Sequence, residues 1–209
     1  MLLDFSTQGA LSKYRLLSNT ITPRPIAWIS TISERGTSNL APFSFFGVVS
    51  SNPVVFSLCI GTKSDGSPKD TLTNLLSTCK ATISFVMVDF LPLLERTASE
   101  LPYDSSEASA FSIPLLSVHR DYPPIVQGVK VAYFCELLEC RSFGVRENGD
   151  ESALGGMGGS GESTIFLEAK SCFVDDALYQ EDLRFLPPHV GRVGKFYLQV
   201  SELIDPAIE

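Results

Sequence analysis

The segment best suited to chemistry is Ser67–Thr71, which reads Ser-Pro-Lys-Asp-Thr and precedes a helical pattern. A helix over Asp70–Cys79 is predicted by apolar residues that recur at the spacing of one helix face, namely Leu72, Leu75, Leu76 and Cys79. We expect Asp70 to be its N-cap. The free N–H groups at a helix start, the Lys69 ammonium and the Thr71 hydroxyl together suit a phosphate group. From this segment alone, a capped helix beside a solvated lysine is the simpler explanation, because capped helices are common.

Aromatic and small polar side chains are concentrated earlier in the chain. The first predicted strand carries Arg24, Trp28, Ser30 and Thr31, and the following segment carries Asn39, Pro42, Phe43, Ser44 and Phe45. Apolar walls, a few amide or hydroxyl partners and an anion cradle are what a flat ring ligand with a phosphate tail requires. Taken singly, Trp28 or Phe45 is as readily explained as an ordinary core residue.

Other motifs in the chain do not point to chemistry. Gly156–Gly161 matches G-x-G-x-x-G, but a polar, acidic segment precedes it and a predicted strand follows, so we expect a Gly-rich surface loop at about residues 149–163. The sequence has no G-x-S-x-G elbow for acyl transfer. It has five cysteines without a C-x-x-C pair and only two histidines, so we expect neither a disulfide framework nor a metal site. Cys59 and Cys135 lie in apolar runs and are expected in the core.

Charge and composition exclude several classes of protein. The 209 residues carry a formal net charge of −8, which argues against a general nucleic-acid binder. Residues 1–80 hold 7 basic and 4 acidic side chains, whereas the rest hold 9 and 20, so a small anion is expected to bind in the first third. Asp4 precedes any apolar run, which is unlike a secretory signal and, with the unpaired cysteines, predicts a cytoplasmic protein. No membrane partner is expected, because the uncharged stretch 36–62 contains an Asn52–Pro53 turn signal.

The elements that must position these residues are mostly short strands. Apolar, β-branched runs predict strands at Pro25–Ser33, Pro53–Ile60, Thr82–Val88, Val131–Leu138, Thr164–Val174 and Phe196–Val200. A hairpin-like connection is expected at residues 34–36, and a second short helix is expected near Asp89. Helical patterns are otherwise scarce. We therefore predict a single mainly β domain over residues 1–209, built as a β-barrel with short helices or as an α+β fold.

Three blocks, in this order and spacing, resemble the flavin reductase-like family of FMN-binding split barrels. They are Arg24–Thr31, Asn39–Phe46 and Lys69–Thr71. Residues 174–178 and 191–197 are also similar to the family. The resemblance covers most of residues 14–200 and implies a Greek-key split barrel that works as a homodimer, with FMN near the subunit interface.

The resemblance also implies a site and an activity. Lys69 and Thr71 would hold the FMN phosphate, with Asp70 shaping the turn. The other implied FMN-binding residues are Arg24, Trp28, Ser30, Thr31, Asn39, Pro42, Phe43, Ser44, Phe45, His189 and Arg192. The implied reaction is hydride transfer from NAD(P)H to the flavin, which needs no protein acid–base pair, so no catalytic residue is assigned. An FMN-dependent oxygenase or other oxidoreductase acting on a separate small substrate, and a non-enzymatic flavin-binding protein, are the alternatives.

Overall fold

Strands outnumber helices in the computed structural model, which describes residues 2–143, 161–183 and 187–199. The strands are β1 Arg24–Pro25, β2 Ala27–Ile32, β3 Ser38–Phe43, β4 Phe46–Ser51, β5 Val54–Ile60, β6 Lys80–Phe85, β7 Leu115–Leu116, β8 Ile125–Val126, β9 Val131–Phe143, β10 Glu162–Val174, β11 Val190–Val193 and β12 Phe196–Gln199. The helices are α1 Ala10–Thr20, α2 Asp70–Thr78, α3 Leu91–Arg96 and α4 Glu107–Ala110. Two 3-10 turns lie at Phe5–Thr7 and Val88–Phe90.

Most predicted strands are present, with shifted ends. The Asn52–Pro53 turn lies between β4 and β5, and the connection at residues 34–36 joins β2 to β3. β6 begins two residues before the predicted start and ends at Phe85, because residues 88–90 turn into a 3-10 helix and then α3. β9 continues to Phe143, because it pairs with β10 up to Glu162. The predicted Gly-rich loop lies outside the described residues, except for its last three positions.

Helix α1 was not predicted from the sequence. Only Ser18 of this helix is buried, so no apolar stripe marks it in the sequence. The second predicted helix near Asp89 is confirmed as α3, which starts with Pro92 in its first turn, where a missing N–H costs nothing. None of the helices in the described ranges is long and apolar enough to cross a membrane.

The main sheet has seven strands in the order β3-β2-β6-β9-β10-β5-β4, and all neighbours are antiparallel. One apolar core nevertheless joins strands that are far apart in this order, because Ile29 of β2 and Leu58 of β5 pack in the same cluster. The sheet must therefore curl around its inner face. This arrangement is the mainly β, Greek-key split barrel that the sequence predicts.

Helix α2 closes the inside of the barrel. Leu72 and Leu75 pack among the inner-face residues of the strands, which is the face that the apolar spacing predicts. The helix ends at Cys79, whose φ of 59° is left-handed and stops the helical hydrogen bonding. Burial of these leucines holds the other end of the helix, at Lys69 and Asp70, beside the strands.

A second core covers the outer face of β2, β6 and β9. It contains Trp28 of β2, Leu94 of α3, Ala108 of α4 and Phe134 of β9. Because side chains alternate along a strand, Ala27 and Ile29 face the barrel interior while Trp28 faces this outer core. Helices α3 and α4 are therefore held next to β3 at the edge of the sheet.

A separate sheet of three strands has the order β1-β11-β12. Arg24 of β1 lies opposite Arg192 of β11, and Pro25 lies opposite Gly191. A Cβ at Gly191 would come within 2.6 Å of the Pro23 side chain, so only glycine permits this close approach. The small sheet thereby brings residues that are 168 positions apart side by side.

Candidate functional site

A cleft of about 330 Å³ opens between β3, the end of β5 and the start of α2. Its volume lies at the lower end of the range for small-molecule sites, roughly 300–1,000 Å³. Residues 97–101, which follow α3, form a further wall. The cleft brings together most of the site residues predicted from the sequence, namely Asn39, Pro42, Phe43, Ser44, Phe45, Lys69, Asp70 and Thr71.

One wall of the cleft is aromatic. The ring of Phe45 stacks on Tyr14 of α1, with centroids 5.7 Å apart and planes 20° from parallel. The guanidinium carbon of Arg24 lies 5.5 Å from the centroid of Phe45. Tyr14 and Phe45 both line the cleft, so a planar ligand would meet a pair of rings there.

The floor of the cleft is a network of buried amide and hydroxyl groups. Asn39 donates from Nδ2 to Oγ1 of Thr71 at 3.0 Å and to Oγ1 of Thr31 at 3.2 Å. Asn74 also donates to Oγ1 of Thr31, at 3.1 Å. The Thr71 hydroxyl accepts from Asn39 and has no acceptor for its own hydrogen among the described residues, so it can donate to a ligand.

The start of α2 supplies the cationic end of the cleft. The predicted N-cap is wrong: the N-cap is Lys69, and Asp70 is the first helical residue. The physical reason is an ion pair, because the Asp70 carboxylate contacts the Lys63 ammonium instead of the helix N–H groups. No side chain caps α2, so its first N–H groups stay available to an anion beside Lys69.

Carboxylates lie near the two lysines and outnumber them. Glu100 lies 3.8 Å from Lys69 and accepts from the backbone N–H and the hydroxyl of Ser64. These hydrogen bonds lower the pKa of Glu100. Glu107, placed by a helix that Ser106 caps, accepts from the N–H of Leu40 at 2.9 Å. Burial raises the pKa of Glu107. The cleft is therefore suited to one small anion rather than to a polyanion.

The structure places Trp28, Ser30 and Thr31 behind the cleft, not in its lining. All three side chains are fully buried. The indole Nε1 of Trp28 donates to Oγ1 of Thr97 at 2.9 Å, and Thr97 does line the cleft. Strand alternation turns the side chains of Trp28 and Ser30 to the outer face, and the network above encloses Thr31. Contact of this strand with the flavin through its main chain and side chains stays a prediction.

His189 also lies apart from this cleft. Its ring stacks on Phe85, with centroids 4.9 Å apart and planes at 18°. The Nε2 atom is buried and has no hydrogen-bond partner among the described residues. Burial lowers the pKa of His189 from 6.5 to about 4, so the imidazole is neutral near pH 7 and stacks as an uncharged ring.

We expect His189 to make the fold sensitive to acid. Between pH 6.5 and 4 the unfolded chain binds a proton at His189 and the folded chain does not, so stability falls as the pH drops through this window. The variant His189→Phe keeps the stack and removes the titration. Urea unfolding at about pH 7 and about pH 4.5 should show a smaller loss of stability for the variant than for the unaltered protein. Equal losses would contradict the assignment.

Several residues of the cleft were missed from the sequence. Tyr14, Lys63, Glu100, Glu107 and Glu162 all line it. Lys63 is six residues from Lys69, and that spacing of two lysines before a helix was a usable signal, whereas nothing local marks the other four. Cys59 was expected in the core but is half-buried and lines the cleft, where its thiol donates to Glu162 at 3.6 Å.

A search of curated proteins finds relatives along the whole chain. An uncharacterized protein of Halalkalibacterium halodurans is 36% identical over all of this chain and 98% of its own length. An uncharacterized protein of Deinococcus radiodurans is 35% identical over 68% of this chain. This second match covers 64% of the Deinococcus protein, so the chain spans less than two thirds of it.

Solved structures with the same fold are more distant in sequence. Nitrilotriacetate monooxygenase component B from Bacillus cereus has a TM-score of 0.83 at 21% identity, covering 98% of each chain. A protein with a split barrel domain from Shewanella frigidimarina has a TM-score of 0.78 at 16% identity, covering both chains fully. An FMN-binding protein from Thermus thermophilus has a TM-score of 0.74 at 20% identity, covering 98% of this chain and all of its own.

The family assignment rests on the sequence match over most of the described barrel. Residues 19–156 match the flavin reductase like domain, and this range contains the three blocks that line or support the cleft. The fold agrees, since the chain superposes on the Shewanella frigidimarina protein with a split barrel domain at a TM-score of 0.78. The chain therefore belongs to the flavin reductase-like family of split-barrel, flavin-related oxidoreductases.

Proposed function

We propose that this protein binds FMN in the cleft and accepts hydride from NADH or NADPH onto the flavin. The observation that carries the proposal is that one cleft has an aromatic wall and an uncapped helix start beside Lys69. A planar ring with a phosphate tail matches this cleft, because the ring suits the aromatic wall and the phosphate suits the helix start. Family membership supports a flavin, and the aromatic wall and helix start are what it requires at its two ends.

The phosphate end of the cleft fits the tail of FMN. Among the described residues, the Lys69 ammonium has only a loose ion pair, the Thr71 hydroxyl has a free hydrogen, and α2 offers N–H groups that no side chain caps. A phosphate monoester accepts from all three kinds of donor. Riboflavin lacks this phosphate, so the same donors would not strengthen its binding.

The edge of β3 suits the ring of FMN. The Leu40 N–H points away from β2 and donates to the Glu107 carboxylate. Outward-facing groups alternate along a strand, so Pro42 stands at an outward position, where its missing N–H costs no bond to β2. This edge therefore stays open beside Phe43 and Phe45 instead of pairing with another strand.

When bound, FMN would supply the hydride-accepting ring, and the protein would supply orientation and exclusion of water. Tyr14 and Phe45 would shield one side of the ring from solvent. The Cys59 thiol stays protonated near neutral pH, because burial and Glu162 raise its pKa to about 12. It is therefore no nucleophile in this cleft.

The experiment is an absorption spectrum of the purified protein, FMN titration, and then NADH and NADPH oxidation with FMN present. We expect FMN uptake and oxidation of at least one nicotinamide. Turnover only with a further small substrate would favour the oxygenase-type alternative, and tight FMN binding with negligible oxidation would favour a non-enzymatic flavin protein. A protein that takes up no FMN would overturn the proposal.

The homodimer implied by the resemblance stays a prediction, which light scattering on the same sample checks.

A further inference from the structure

A second cleft, of about 230 Å³, adjoins the first. The two share a wall formed by Tyr14, Pro42, Phe43, Ser44 and Ala98. The second cleft is completed by side chains from α3 and from the three-stranded sheet, including Leu94, Glu95, Arg192 and Tyr197. A ligand in it would therefore lie against the same strand edge, β3, as the ligand proposed for the first cleft.

Two arginines stand together at this second cleft. Arg192 lines it, and Arg24 is the residue directly opposite Arg192 in the ladder between β1 and β11. Like charges placed opposite each other across a ladder repel, so this pairing is costly without an anion nearby. Ser44 lines both clefts and lies 3.4 Å from Nε of Arg24.

Arg24 has neutral partners: its guanidinium donates to the backbone oxygens of Ser18 and Ile21 and to the Ser44 hydroxyl. It is 5% exposed and forms no ion pair with a described residue. Its Nη2 atom is buried and has no hydrogen-bond partner in the described ranges. Burial and the neighbouring Arg192 lower the pKa of Arg24. The positive charge behind the second cleft is thus incompletely compensated.

Arg192 has a carboxylate that a ligand can displace. Its Nη1 lies 2.5 Å from Glu95, whose side chain is 52% exposed. The guanidinium also lies over the ring of Tyr197, 4.4 Å from its centroid, and contacts the Tyr197 hydroxyl. Glu95 also accepts from the Tyr197 hydroxyl. Because its side chain is half exposed, it can move into solvent, and a ligand anion can take over its contacts to Arg192 and Tyr197.

The charge balance differs between the two clefts. The first holds Lys63 and Lys69 against four carboxylates, those of Asp70, Glu100, Glu107 and Glu162. The second holds Arg192, with Arg24 behind it, against Glu95 alone. Once the first cleft contains a phosphate, a second anion is favoured in the second cleft and not in the first.

We propose that the second cleft binds the second substrate of the flavin reaction, a planar organic molecule that carries a phosphate or carboxylate group. Arg192 is the anchor for that anion, and Glu95 is the counter-ion it displaces. The rings of Tyr14, Phe43 and Tyr197 receive the planar part. The proposal rests on the proposed function of the first cleft, and it moves Arg192 from the expected FMN contacts to a separate subsite.

The test is a pair of variants with opposite expected signs. FMN-loaded protein is titrated with NADP⁺, and separately with benzoate, while the flavin absorption spectrum is followed. Arg192→Gln should weaken binding of the recognised anion by about tenfold, since a charge-assisted hydrogen bond is lost. Glu95→Gln should strengthen it by about threefold, because Arg192 no longer has a competing carboxylate. A response to NADP⁺ assigns the phosphate, and a response to benzoate assigns the carboxylate.

The control is Arg35→Gln, which removes another arginine–carboxylate ion pair, with Asp104 at 3.5 Å, away from both clefts. It should leave both titrations unchanged. If the Arg192 and Glu95 variants weaken anion binding equally, the ion pair has only a structural role and the proposal is overturned. The proposal is also overturned if neither variant changes anion binding. FMN affinity is measured first: normal FMN binding with no anion response overturns this inference alone, whereas absence of FMN uptake by the unaltered protein overturns both proposals.

Discussion

Replacing Lys69 by alanine is expected to weaken FMN binding by about 10- to 100-fold, the range expected for a charge-assisted hydrogen bond of about 1.5–3 kcal/mol. Lys69 is the cationic side chain at the uncapped start of α2, and its ion pair with Glu100 is 3.8 Å long. The ammonium is therefore free to turn toward a phosphate. Fluorescence titration with FMN and with riboflavin measures the effect, and riboflavin affinity should barely change.

Lys130→Ala is the matched control for this prediction. Lys130 also forms an ion pair, with Asp175, and its side chain is 36% exposed, compared with 32% for Lys69. It does not line either cleft. The control variant should bind FMN as the unaltered protein does. Equal losses of FMN and riboflavin affinity in Lys69→Ala would mean that Lys69 does not contact the phosphate.

The second large effect is expected at Trp28. The variant Trp28→Ala should lower the free energy of unfolding by about 3–5 kcal/mol, the usual cost of truncating a buried aromatic side chain. Trp28 is 0% exposed and packs near Phe90, with ring centroids 6.0 Å apart. Its loss also leaves the Thr97 hydroxyl without the indole donor. Urea unfolding followed by circular dichroism measures the change.

Two further variants make the Trp28 result specific. Trp28→Phe keeps most of the packing and loses the hydrogen bond to Thr97, so it should cost less than the alanine variant. Phe5→Ala removes an aromatic ring that is half exposed and should be nearly neutral. An unfolding midpoint for Trp28→Ala close to that of the unaltered protein would refute the role of Trp28 in the outer core.

Local patterns predicted the elements well where burial is periodic. The leucines of α2 mark a helix, and the apolar runs of β5, β9 and β10 mark strands, because one buried face imposes its spacing on the residue types. Helix α1 was missed because it buries only Ser18. Tyr14, the residue that α1 contributes to the cleft, had no local signal either, because a single aromatic residue does not form a repeating apolar pattern.

The cleft itself was predictable in part. The segments with Asn39 to Phe45 and Lys69 to Thr71 meet in it, as the sequence predicts. The position of each side chain within the segments was not predictable. Trp28 and Ser30 face away from it, and Asp70 pairs with Lys63 instead of capping α2, because strand face and loop contacts depend on the surrounding structure.

The sequence by itself determined the mainly β class of the fold and supplied residue types that suit a flat ring with a phosphate tail, because both depend on local composition and spacing. Only the tertiary structure decided which of those residues share a surface. Curling of the sheet placed Phe45 beside Tyr14, and the pairing of β1 with β11 placed Arg24 opposite Arg192. Such contacts join residues far apart in the chain, and they follow from strand register and the curvature of the sheet, which no local pattern contains.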